Sequence, residues 1–149
     1  MRHSWVDGRL STVVPVDDRG LNYADGAFET LLCRDGNITC LSLHEARLSR
    51  ALLALKFEAP QLQAQQVFEE AGQCLLRVKH SGIARLTVTR GSGPRGYAPS
   101  RSATPRYILT ASAHPDHKSA PWRCGIATTK WQDQPQLAGL ELLASTEQV

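Results

Sequence analysis

A single dipeptide, Asp35-Gly36, commits this chain to antiparallel pairing. A tight hairpin turn needs two central residues at positive φ, and Asp-Gly tolerates that conformation. The flanking residues 27–33 and 38–41 are apolar and β-favouring enough to pair across it. Asp7-Gly8 repeats the signal near the start of the chain. Between the two turns, Val16-Asp17-Asp18-Arg19-Gly20-Leu21-Asn22-Tyr23-Ala24-Asp25-Gly26 is too polar and too punctuated for a regular element. It is predicted to be a long loop held by its own side-chain contacts.

The periodicity then changes. Ser42-Leu43-His44-Glu45 fits the Ser-x-x-Glu capping box, which predicts a helix start there. Leu48, Leu52 and Leu55 follow at i, i+4, i+7, one buried stripe. Pro60 separates this from a second helix, with Val67, Ala71, Cys74, Leu75 and Val78 on one face and Ser81-Gly82 at its end. Residues 83–90 read as a strand, because Ala84, Leu86 and Val88 alternate with Arg85, Thr87 and Thr89. Residues 107–113 read as another. Residues 114–122 have linker composition, residues 123–129 predict one further strand, and 137–143 form an apolar segment with nothing after it to bury it. Strands, a pair of helices and more strands make an α+β domain to about residue 113.

Composition excludes several classes. Hydrophobic residues make up 42% of the chain, enough for a core and too many for wholesale disorder. No apolar run approaches the roughly 20 residues of a membrane-spanning helix. Residues 1–8 lack the apolar stretch of a secretory signal, so the expected location is cytoplasmic. Cys33, Cys40, Cys74 and Cys124 form no C-x-x-C pair, so reduced thiols are expected, with neither a zinc site nor a disulfide framework. His114-Pro115-Asp116-His117 offers too few ligands for a metal site. A net charge of +3 names no nucleic-acid partner. Arginines 85, 90, 95, 101 and 106 are interleaved only by Tyr97 and Tyr107, which falls short of a stacking, basic recognition face.

Gly91-Ser92-Gly93-Pro94-Arg95-Gly96 matches G-x-G-x-x-G literally, but a dinucleotide site needs that motif to open a helix. Pro94 and the following Tyr97-Ala98-Pro99-Ser100 argue for a loop instead. Such a loop either merely connects strands or presents Arg95 and Tyr97 to an anionic ligand. Arg47, one turn into the first helix, reads from spacing alone as a solvated residue.

Two segments taken together resemble a known family. Asp18-Arg19-Gly20-Leu21-Asn22-Tyr23-Ala24-Asp25-Gly26-Ala27-Phe28-Glu29-Thr30 resembles the D-R-G-L-x-Y-G-D-G-x-F-E-T signature of the class IV aminotransferases, with Ala24 in place of a glycine. His44-Glu45-Ala46-Arg47-Leu48 is similar to that family's H-x-x-R-L helix. Thr89-Arg90-Gly91-Ser92-Gly93-Pro94-Arg95-Gly96-Tyr97 resembles the loop of its aminodeoxychorismate lyases. The likeness covers the N-terminal half of a typical member.

The resemblance implies the small N-terminal α+β domain of the fold-type IV pyridoxal-phosphate enzymes with the beginning of the larger second domain. That divides the chain into a small domain (1–113), an interdomain linker (114–122) and the start of a truncated cofactor-binding domain (123–149). It implies pyridoxal 5'-phosphate as cofactor, Arg47 as its phosphate contact, and a substrate pocket lined by Tyr23, Phe28 and Thr30. Arg95 and Tyr97 would contact a substrate carboxylate, often across a homodimer. The implied reaction eliminates pyruvate from 4-amino-4-deoxychorismate to give 4-aminobenzoate for folate synthesis, driven by a lysine that holds the cofactor as an imine.

At that lysine's position this chain has Glu141, within Leu137-Ala138-Gly139-Leu140-Glu141-Leu142-Leu143. A carboxylate forms no imine, Lys130 matches no catalytic position, and the chain as written is expected to be inactive. A D-amino-acid or branched-chain aminotransferase relative, and a non-catalytic dimerising fragment, are the alternatives. Membrane and nucleic-acid partners are not expected.

Overall fold

The computed structural model describes residues 2–100, 103–115, 121, 123–126 and 135–144. Six strands form one antiparallel sheet in the order β2-β1-β6-β5-β3-β4: β1 (His3–Val6), β2 (Arg9–Leu10), β3 (Gly26–Arg34), β4 (Asn37–Ile38), β5 (Gly82–Thr89) and β6 (Arg106–Ser112). Both Asp-Gly turns form as predicted, with Asp7 at φ 49° and Gly8 at 73°, and Asp35 at 50° and Gly36 at 84°. Gly36 serves a second purpose, since a Cβ there would lie 2.5 Å from the Leu76 backbone.

Helices α2 (Leu41–Ala54) and α3 (Pro60–Arg77) cover one face of the sheet. Leu48 and Leu52 from α2, and Phe68, Ala71 and Leu75 from α3, meet Leu31, Leu86 and Leu109 from the strands in one core. The alternation predicted for the fifth strand holds as far as Val88: Ala84, Leu86 and Val88 are buried and Arg85 is exposed on the opposite face, whereas Thr89 is buried by its contact with Asp18. That opposite face carries Phe28, Thr30, Thr87, Ile108 and Thr110, and no helix covers it among the described residues.

Several sequence expectations need correction. The predicted loop 16–26 contains a short helix, α1 (Arg19–Tyr23), capped when Asp18 accepts from the Gly20 N–H at 2.8 Å. Ser42 does not cap α2. Thr39 is pinned to β3 through its N–H and hydroxyl on the Leu32 carbonyl, so Cys40 turns the chain at φ 53° and the helix starts before the serine. Consequently β4 is only two residues long. Helix α3 begins at Pro60 itself, where a missing N–H costs nothing, and ends at Arg77 before Ser81-Gly82.

Residues 123–126 form no strand, and 127–129 lie outside the described residues. The apolar segment 137–143 does find burial. After a 3-10 turn (Pro135–Leu137), Leu142 bridges Ala27 and is 9% exposed, and Leu137 and Leu140 pack against the core.

Candidate functional site

The polar residues of the first signature are consumed in fastening two loops together. Asp18 is fully buried; it caps α1, accepts from the Thr89 hydroxyl at 3.0 Å and pairs with Arg106. Arg19, 2% exposed, spreads its guanidinium over three acceptors: Asp25 at 2.9 Å, the Gly96 carbonyl at 2.9 Å and the Tyr97 carbonyl at 2.8 Å. Arg90 donates to the same Asp25 carboxylate at 2.9 Å and to the Leu55 carbonyl at 2.5 Å. A planar fork with five donors is the side chain suited to such a junction. The glycine-rich stretch 91–96 is a loop, as Pro94 within it and Pro99 after it predicted, so no helix N-terminus awaits a pyrophosphate.

Three of the expected substrate residues come together there. Tyr23 accepts from the Gly96 N–H at 2.8 Å, and its ring meets that of Tyr97 edge-on with centroids 5.8 Å apart. Arg95 and Tyr23 line a cleft of about 340 Å³ with Asp17, Asn22 and Gly93. Arg95 is exposed and Tyr97 is 91% exposed, so both side chains present themselves outward from a loop whose backbone is fixed.

Phe28 and Thr30 stand elsewhere, on the open face of the sheet. The Arg85 guanidinium lies 3.6 Å from the Phe28 ring centroid, and Arg85 is the cross-strand partner of Thr30. Desolvation lowers the pKa of Arg85, and the charge of Glu141 opposes that shift.

Arg47 is not the solvated residue its spacing suggested. Its Nε and Nη2 donate to the two oxygens of Glu29 at 2.8 and 2.6 Å, and His44 Nδ1 lies 2.6 Å from the same carboxylate. Glu29 is completely buried. The hydrogen bond to it holds the Arg47 pKa above its ordinary value. Glu29 is the residue that sequence reasoning missed, although its parity with Ala27 and Leu31 put a carboxylate on the core-facing side of β3. Arg85 was legible only as an outward-facing strand residue.

Glu141 reaches the remaining side of Arg47. The Phe28 N–H donates to the Glu141 carbonyl at 2.8 Å and the Leu143 N–H to the Gly26 carbonyl at 3.1 Å. This adds the segment to the free edge of β3 and sets a Glu141 oxygen 3.7 Å from Arg47 Nη1. The approach depends on Gly26, where a Cβ would lie 2.3 Å from the Val88 carbonyl oxygen and 2.9 Å from Leu143 Cδ1.

The implied cofactor asks this edge for a cation and an amine. Arg47 is a cation, but a carboxylate stands beside it in the amine's place. The described lysines, Lys56 and Lys79, follow the C-terminal ends of α2 and α3, and Lys130 lies outside the described residues. A phosphate on Nη1 would meet Glu141 as a like charge. The described residues therefore do not fit covalently held pyridoxal phosphate.

Among the described residues no cluster of His, Cys, Asp and Glu is suited to a metal, and no helix is long and apolar enough to cross a membrane.

The sequence model of the amino-transferase class IV family matches residues 26–149. An aminodeoxychorismate lyase of Vibrio harveyi is 31% identical over 150 residues, covering 97% of this chain and 54% of that protein. The crystal structure of 4-amino-4-deoxychorismate lyase from Pseudomonas aeruginosa is 40% identical with a TM-score of 0.84, again over 97% of this chain and 54% of that one. A D-alanine aminotransferase of Bacillus licheniformis is 26% identical, over 74% of this chain and 38% of its own length. The chain thus spans about half the length of these lyase relatives and less of the aminotransferase.

Proposed function

Because the chain belongs to the class IV aminotransferase family, we propose that it is the substrate-side part of an aminodeoxychorismate lyase, in a form that does not turn over. That family depends on pyridoxal phosphate. The supporting observation is the loop 90–97, locked by Arg19 and Tyr23 so that Arg95 and Tyr97 face outward, where a substrate bearing carboxylates can meet them. A guanidinium recognises a carboxylate through paired donors. Phe28 with the Arg85 guanidinium over its ring, and Thr30 beside them, offer a cationic, partly aromatic surface suited to a ring that bears a carboxylate. Tyr23, Phe28, Thr30, Arg95 and Tyr97 are accordingly assigned to substrate, and Arg47 to an anion.

The same reading makes residues 1–113 the small domain, 114–122 the linker and 123–149 the start of the larger domain. It also makes the protein a cytoplasmic homodimer acting on a small molecule. Turnover fails at Glu141, since no amine there can hold the cofactor or move a proton.

Two measurements test the proposal. Chain saturated with pyridoxal phosphate is expected to release no pyruvate from 4-amino-4-deoxychorismate, and borohydride is expected to fix no site-specific lysine adduct. Clear release of 4-aminobenzoate and pyruvate would overturn the assigned inactivity. Separately, added 4-aminobenzoate should shift the amide resonances of Gly96 and Tyr97 where D-alanine and leucine do not. The reverse preference would move the chain to the aminotransferases.

A further inference from the structure

We propose that a cleft between α3 and the strands β5 and β6 binds a short aliphatic diamine, with Glu70 taking the ammonium at one end and Gln63 the ammonium at the other. The cleft lies apart from the residues assigned to substrate, and the proposal stands whether or not the lyase reading does.

The cleft has a volume of about 430 Å³, within the range of small-molecule sites. Val88 and Tyr107 in its wall are cross-strand partners, both buried on the helix-covered face of the sheet. Phe28 and Arg85 belong to the opposite face. Gln63, Val67 and Glu70 reach the cleft from α3, where i, i+4 and i+7 share one side. Gln63 and Glu70 thus stand two turns apart, farther than one ammonium can bridge, so the ligand needs a donor at each end. Val67, Val88 and Pro105 supply apolar lining for the methylene chain between them.

The charge at the cleft is one-sided. Tyr107 donates to Glu70 Oε2 at 2.6 Å. Burial, together with that carboxylate, holds the tyrosine pKa well above its ordinary value, so the hydroxyl stays a donor. Arg106 also lines the cleft, but it is already held by Asp7 at 3.3 Å and by Asp18. Glu70 therefore has no ion-pair partner among the described residues. Gln63 Oε1 is buried and finds no hydrogen-bond partner among the described residues, a condition that costs free energy until a donor arrives. An ammonium offers three donors and the charge that strengthens each of them. A metal ion fits less well, because no group of three His, Cys, Asp or Glu among the described residues could hold one.

The test is a titration of the isotopically labelled 149-residue chain with 1,4-diaminobutane, butylamine and 1,4-butanediol at fixed pH and ionic strength. It is followed through the backbone amides of Gln63, Val67, Glu70 and Tyr107. The diamine is expected to give saturable shifts there, butylamine weaker binding and the diol none. Glu70→Gln keeps an acceptor for the Tyr107 hydroxyl while removing the charge, and should weaken both amines about tenfold. Gln63→Met should weaken the diamine about threefold and leave butylamine unchanged. Glu69→Gln makes the same change of charge one position along α3, outside the cleft, and should alter neither. No saturable shift in the wild type, a diol that binds as tightly as the diamine, equal losses in Glu69→Gln and Glu70→Gln, or an undiminished preference for the diamine in Gln63→Met would each overturn the proposal.

Discussion

Replacing Glu29 by Gln removes a completely buried negative charge from beneath Arg47 while conserving shape. Three short contacts are affected: Arg47 Nε at 2.8 Å, Arg47 Nη2 at 2.6 Å and His44 Nδ1 at 2.6 Å. Removing one partner of a buried ion pair ordinarily costs ~3–5 kcal/mol, mostly because the other charge is left buried and unpaired. Here the survivor is different. The Arg47 side chain is 32% exposed and has Glu141 nearby, so it can rehydrate, and the glutamine oxygen retains one acceptor. The expected loss is therefore about 2 kcal/mol, which lowers Tm by ~4–8 °C for a chain of this size.

Urea unfolding followed by far-ultraviolet circular dichroism gives the value directly. A cycle with Arg47→Met should assign about 2 kcal/mol of it to coupling between the two residues. A Glu29→Gln variant within about 0.5 kcal/mol of wild type, with the urea slope unchanged, would refute the reasoning. It would mean that the carboxylate's burial cost already cancels what its partners return.

Other perturbations act on separate parts of the structure. Gly26→Ala should cost about 2–3 kcal/mol, because its Cβ meets the Val88 backbone and Leu143 has to withdraw; hydrogen exchange at the Leu143 amide should rise. Arg19→Lys keeps the Asp25 charge pair but cannot reach both the Gly96 and Tyr97 carbonyls, so limited proteolysis within 93–98 should accelerate several-fold with little change at the sheet. Burial pushes the Cys33 thiol up from its ordinary 9.0 to about 11. The folded protein then keeps a proton that the unfolded chain releases, so stability is full below pH ~9 and falls as pH rises through ~11, by at most about 2–3 kcal/mol. Burial and the hydrogen bond to Glu70 raise Tyr107 in the same sense, and Cys33→Ala should flatten the fall in melting temperature. Near neutral pH, a thiol reagent should modify exposed Cys40 and Cys124 well before buried Cys33 and Cys74.

Local chemistry made much of this protein legible from residue order. Asp-Gly turns, a period-2 strand and two 3.6-period helices are set by contacts a few residues apart, so the hairpins, both long helices and the inward faces of Ala84, Leu86 and Val88 followed from sequence. The α2 start was misplaced because Thr39 is held by Leu32 on β3, a contact that no capping rule contains. Helix α1 hid inside a polar run because, besides the nearby Gly20 and Asp25, the partners that bury Asp18 and Arg19, namely Thr89, Arg106, Gly96 and Tyr97, lie some 70 to 90 positions away.

The site divides the same way. The residue types at 47, 95, 97 and 141 were readable, and so was the absence of a lysine at 141. What only the folded chain decided is which charge each group meets. Arg47 is gripped by Glu29 because α2 packs over β3. Glu141 stands beside it because a distant apolar segment completes the free edge of that strand. Coulomb interactions fall with distance in space rather than along the chain, so sequence named the charges and the tertiary structure paired them.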